Sequence, residues 1–148
     1  MEFQKDFKEF LKLLNEFKVE FLIVGSYALA YHGSPRYTGD IDIFVNSDKL
    51  NAAKIINVIE KFGFSELGLK VDDFSNTSNI IQLGVAPVRI DILTSITGLT
   101  WEEAFKGSIK GSYDDESVFY LGRKEFIKNK KAVGRNKDLA DIDSIEGN

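Results

Sequence analysis

The stretch Phe21–Val45, FLIVGSYALAYHGSPRYTGDIDIFV, decides how the remaining residues read. Phe21–Val24 is an unbroken apolar run, the mark of a buried strand. Gly25 ends it and lets backbone or ligand come close. Ser26 is placed to begin a helix over Tyr27–Tyr31, whose free N–H groups suit a phosphate. Asp40-Ile41-Asp42-Ile43 then alternates acid and apolar residues. Alternate strand residues share a face, so both carboxylates point one way while Ile41 and Ile43 enter the core. Paired acids repel unless a cation lies between them. Carboxylate oxygens suit Mg2+, which takes one or two of them together with substrate phosphates.

Upstream, Phe3, Phe7, Phe10, Leu11, Leu14 and Phe17 recur at helical spacing and predict a helix with one apolar stripe. Within the central stretch, Ser34-Pro35 breaks the chain before Arg36, Thr38 reads as structural, and Gly39 frees the backbone ahead of Asp40. His32 reads as a packing or hydrogen-bonding residue. Downstream, Ser47 is a candidate N-cap for a helix running to about Phe62, with Gly63 as its stop and Leu50, Ala53, Ile56, Ile59 and Phe62 facing inward. Asn79–Leu83 and Val88–Leu93 predict two strands around the turn Gly84-Val85-Ala86-Pro87. Asp91 falls mid-strand among apolar neighbours, where an acid is costly without a partner. It is the third candidate carboxylate, and a buried pair with Arg89 or a lysine is the other reading of it.

Thr100-Trp101-Glu102-Glu103 is a capping box opening a short helix. Ser108–Tyr113 and Val118–Leu121 bracket Asp114-Asp115 as a hairpin. A helix over Arg123–Ala132, an interruption at Gly134 and a last helical piece over Asp138–Ile145 complete the chain. Strands and helices mix without a clean βαβ alternation, which predicts an α+β domain with a mixed sheet.

At 148 residues the chain is expected to form a single domain, 1–148, with a basic helical segment at about 123–145. Cysteine is absent, excluding disulfides and thiolate metal sites, and one histidine excludes a His-rich site. No apolar run is long enough to span a bilayer. The acid-bearing N-terminus does not read as a signal or transit peptide. A soluble, cytoplasmic protein is the expectation. The net charge of −4 argues against nucleic-acid affinity over the whole surface. Locally, Arg123, Lys124, Lys128, Lys130, Lys131, Arg135 and Lys137 face one acid, Glu125. Such a strip would suit an RNA end, although it lacks interleaved aromatics beyond Phe126.

An apolar residue, Gly25-Ser26, thirteen residues, then Asp40-x-Asp42 and a later lone Asp91 resembles the signature of the nucleotidyltransferase superfamily, with its polymerase-beta-like mixed sheet flanked by helices. Arg36-x-Thr38-x-Asp40-x-Asp42 resembles the minimal bacterial members grouped with the AbiEii-type toxins. Lys130, then Arg135-Asn136-Lys137-Asp138 and Asp141, resembles a tail motif of the same group. The resemblance implies transfer of a nucleoside monophosphate from an NTP to a hydroxyl on a tRNA, a protein or a small molecule such as an aminoglycoside or lincosamide. It implies Mg2+ (two ions, Mn2+ as a substitute) on Asp40, Asp42 and Asp91, with Asp91 taking the acceptor proton. Gly25, Ser26, Arg36, Lys130, Arg135 and Lys137 would bind the nucleotide's phosphates. Asp138 and Asp141 would orient those cations or cap the last helix. A toxin–antitoxin or phage-defence setting also follows from the resemblance. Classical members carry a further helical domain; its shortness here leaves the acceptor site shallow, or completed by a partner protein or second copy.

Two other functions compete. A binding module of the same fold would have little physical reason to keep three mutually repelling acids. A glycosyltransferase using DxD on a nucleotide sugar needs a larger domain. A DxDxT-type phosphatase is disfavoured because Phe44 stands where Thr or Val is wanted.

Overall fold

A computed structural model describes residues 4–34, 39–76, 78–85 and 88–146. The first helix, α1 (Lys5–Glu16), buries Phe7, Phe10, Leu11, Leu13 and Leu14. Each buried side chain of this kind contributes about 1.5–3 kcal/mol. Phe10 meets Phe62 edge-on at 5.1 Å between centroids. Strand β1 (Phe21–Val24) is buried throughout and runs straight into α2 (Gly25–Tyr31), followed by β2 (Asp40–Val45). The helix thus starts at Gly25 itself, ahead of the Tyr27 expected from sequence.

Helix α3 (Lys49–Phe62) ends at Gly63, in the left-handed conformation at φ 108° as its stop role requires. Its start and its phase differ from the sequence reading. Asp48, not Ser47, is the N-cap, accepting from Asn51 N–H at 2.7 Å. The buried face carries Asn51, Ala52, Ile55, Val58 and Ile59, while Leu50 is 70% exposed. Asn51 explains the shift. Its amide accepts from Glu20 N–H and donates to the Glu20 and Asn46 carbonyls, so a polar group occupies the inward position with its hydrogen bonds made.

A 3-10 turn (Ser65–Leu67) and the short α4 (Val71–Ser75) fill what reads in sequence as a mixed polar stretch. Strands β3 (Ile80–Val85) and β4 (Val88–Leu93), helix α5 (Trp101–Lys106), strands β5 (Ile109–Tyr113) and β6 (Glu116–Tyr120), and helices α6 (Arg123–Val133) and α7 (Asn136–Glu146) follow. The Thr100–Glu103 capping box is present in both directions.

The six strands form one mixed sheet in the order β3-β4-β2-β1-β6-β5. Pairs β1–β2, β3–β4 and β5–β6 are antiparallel, and β2–β4 and β1–β6 are parallel. The α+β class and the helix-flanked mixed sheet are those expected from sequence. Among the described residues, no helix is long and apolar enough to cross a membrane.

Candidate functional site

The central strands set the site by register. Parallel pairing of β2 with β4 puts Asp40 beside Arg89 and Asp42 beside Asp91. The period-2 pleat keeps all four on one face, while Ile41, Ile43, Ile90 and Ile92 are buried. The three acids named from sequence therefore converge from neighbouring strands.

Arg89 stands among them. Its Nε and Nη2 donate to the two oxygens of Asp91 at 2.8 and 3.1 Å, and Nη2 also donates to Asp40 Oδ2 at 2.9 Å. The sequence reading weighed an Asp91–Arg89 pair against a metal role for Asp91. The pair is present, and it reaches Asp40 as well. Asp42 is pushed up to about 6, first by burial and then by the charges of Asp91 and Asp40. Asp42 also hydrogen-bonds Asp91, while the positive charge of Lys130 acts in the opposite direction. Among the described residues, no three carboxylate or histidine side chains stand in ready-made ligand geometry.

Gly25 owes its identity to this cluster. Val24 pairs with Asp42 across β1–β2, so the start of α2 lies against the Asp42 carboxylate. A Cβ on Gly25 would collide with Asp42 Oδ2, and the residue's φ of +65° is one that side chains disfavour. Ser26 follows, half-buried, in the first turn of α2.

A cleft of about 590 Å³ opens beside Asp42. Gly25, Asp42, Asn129, Lys130 and Arg135 line it, together with the hydroxyl-bearing Ser78, Ser95 and Thr97. The basic tail thus folds back so that α6 and the start of α7 face the acidic strands. Asn129 fixes this approach by donating to the Thr97 carbonyl at 2.8 Å.

Asp138, fully buried, organises the cations. It accepts from Arg135 Nε at 2.7 Å and Nη2 at 3.2 Å, and lies 3.2 Å from Lys130 Nζ. Asp141 is 3.9 Å from the same ammonium. Lys130 also sits 5.4 Å from the centroid of the Phe126 ring. The Arg135 guanidinium, then Lys130, holds Asp138 far below the usual carboxylate range. Asp138 also accepts from Arg135 N–H at 3.2 Å at the start of α7, so orienting and capping are one arrangement.

Of the residues named from sequence, Gly25, Asp42, Lys130 and Arg135 come together in the cleft, while Asp40 and Asp91 neighbour Asp42 on the sheet without lining it. Lys137 is exposed and is not among the lining residues, and neither is Ser26. Arg36 and Thr38 lie outside the described residues. The reach of Arg89 to Asp40 and the roles of Asn129 and the segment 94–97 were not drawn from sequence. For Arg89 a signal existed, because a residue two positions before Asp91 shares its face. Asn129 carries no pattern of its own.

No family model and no curated protein matches the chain. Solved structures do resemble it. One is described as a "putative nucleotidyltransferase", TM1012 of Thermotoga maritima, with a TM-score of 0.58 and 21% identity over 95% of this chain and 86% of that one. Another is the lincosamide antibiotic adenylyltransferase LnuA bound to lincomycin, with a TM-score of 0.51 and 16% identity over 97% of this chain and 96% of that one.

Proposed function

On the nucleotidyltransferase fold that these likenesses show, we propose that the chain is a metal-dependent nucleotidyltransferase, moving a nucleoside monophosphate from an NTP onto a hydroxyl. The observation that carries this reading is the placement of Asp42, beside Asp91 and opposite Lys130 and Arg135, in one cleft. The acids suit a hard cation in donor chemistry, though not in ready-made geometry. All donors are carboxylate oxygens, Asp42 resists ionising among them, and a guanidinium already lies between two of them.

Asp40, Asp42 and Asp91 would hold Mg2+, or two such ions with Mn2+ as a substitute. Bound there, the metal would supply charge stabilisation on the entering and leaving oxygens. Lys130 and Arg135 bind triphosphate oxygens, and Asp138 keeps both cations aimed from beneath. Gly25 and Ser26 let the phosphates approach the start of α2. The acceptor hydroxyl gives its proton to Asp91 as it forms a bond to the α-phosphorus, and pyrophosphate departs.

The acceptor is a small molecule, a tRNA or a protein. The adenylyltransferase neighbour favours including a lincosamide in any screen, while the toxin-like setting rests on the motif resemblance. A second copy or partner protein would complete a shallow acceptor site. A second reading, nucleotide binding without chemistry, draws support from Arg89, which ties up oxygens a metal would need.

Incubation with each α-labelled NTP and Mg2+ or Mn2+, against RNA, protein and antibiotic acceptors, tests the reading. Transfer is expected from the native chain and not from Asp42→Ala. Transfer that survives Asp42→Ala overturns the assignment.

A further inference from the structure

Arg89 spends Nε and Nη2 on oxygens that a cation would require. Two of its bonds take both oxygens of Asp91, and the third takes Asp40 Oδ2. The register brings this within reach, because Arg89 is the partner of Asp40 across the strands and the same-face neighbour of Asp91 along its own. The Arg89 side chain is partly buried, at 29% exposure.

Resting on the metal-dependent reading above, we propose that Arg89 is an internal counter-cation that competes with a divalent ion for Asp40 and Asp91, so that it holds the affinity for free metal low. A strongly hydrated ion has to displace a planar fork that is always charged and already bidentate. Guanidinium and metal compete for the same oxygens and repel each other when both are near. Any ligand that draws Arg89 away, such as the anionic tail of an incoming nucleotide, would raise metal affinity. By linkage, metal would raise affinity for that ligand equally. The residue would therefore make metal and nucleotide bind together instead of singly. It acts through the acids, as a positioning residue.

The test uses Mn2+ alone as the probe, with paramagnetic resonance reading the free ion in titrations of wild type, Arg89→Gln, Arg89→Lys and Asp42→Asn. Arg89→Gln is expected to bind Mn2+ at least about tenfold more tightly than wild type. Arg89→Lys keeps the charge but loses the bidentate grip, and is expected to side with Arg89→Gln. It also carries the test if Arg89→Gln fails to fold. Thermal melts supply an independent readout, with Mn2+ raising the melting temperature of the Arg89 variants more than that of wild type.

Equal or weaker Mn2+ binding by both Arg89 variants overturns the inference. So does Arg89→Lys behaving as wild type, which would reduce the effect to charge at a distance. If wild type binds Mn2+ in an Asp42-dependent way and the Arg89 variants bind it no better, the inference falls and the metal-dependent reading stands. If no protein in the set binds Mn2+ alone, the inference falls, and label transfer with NTP and Mn2+ decides the metal-dependent reading separately.

Discussion

Replacing Asp42 by Asn should make the protein more stable while abolishing its proposed chemistry. The Asp42 carboxyl is shifted from 3.8 to about 6 in the native state. Below about pH 4 both native and unfolded chains hold its proton, and the shift costs nothing. Between about 4 and 6 the native carboxyl keeps a proton that the unfolded chain has released, so stability falls as pH rises. Above about 6 the full cost is present. Each pKa unit corresponds to about 1.4 kcal/mol. Partial solvent access and the shared hydrogen bond with Asp91 reduce the expected cost to about 1–3 kcal/mol at pH 7.5. Asparagine keeps the shape and the hydrogen bonding and removes the charge. For a chain of this size the gain corresponds to about 3–10 °C in melting temperature. Melts followed by circular dichroism in EDTA, at intervals from pH 4.5 to 7.5, give the comparison. The variant's advantage should be small at the acid end and grow to its plateau near neutrality. No advantage at pH 7.5, or one independent of pH, would refute the electrostatic account of the cluster.

Gly25→Ala should lose both stability, by about 1–3 kcal/mol, and nucleotidyl transfer, because its Cβ meets the Asp42 carboxylate at a positive φ; melting and label transfer measure the two losses. Asp138→Asn should destabilise the tail at neutral pH by leaving Arg135 without its anion and Lys130 with only the more distant Asp141. Since Asp138 is held below its ordinary range, the gap from wild type should begin to close below about pH 4 in denaturant titrations. Ile55→Ala should cost about 2–5 kcal/mol in such titrations, whereas Leu50→Ala at the exposed position should leave the midpoint nearly unchanged.

Much of the site was legible because strand periodicity is strict. Asp40 and Asp42 had to share a face once Ile41 and Ile43 were taken as core, and Gly25 before a helix pointed to a close approach. Which group approaches was not legible. It is the Asp42 carboxylate, brought there by the pairing of Val24 with Asp42, a register that no local pattern states. The pairing of Asp42 with Asp91 likewise depends on how β4 docks. Helix α3 misled for a local reason. Counting apolar residues selects Leu50, but a buried Asn51 with satisfied hydrogen bonds takes that place and rotates the inward face. Lys137 read like its neighbours Lys130 and Arg135 because motif spacing does not show which way a side chain leaves the first turn of α7.

The order of assembly inherits something from the strand Val88–Leu93. Strands β1 and β2 can pair early across a short connection, whereas β4 must return over the longer crossover 46–87 before it joins β2. Had it delivered an acid alone, that late arrival would have been opposed by the acids already in place. Arriving with Asp91 and Arg89 two residues apart, it delivers a carboxylate and its neutraliser on the same pleat, so the docking of β4 on β2 brings no added charge to the sheet's centre.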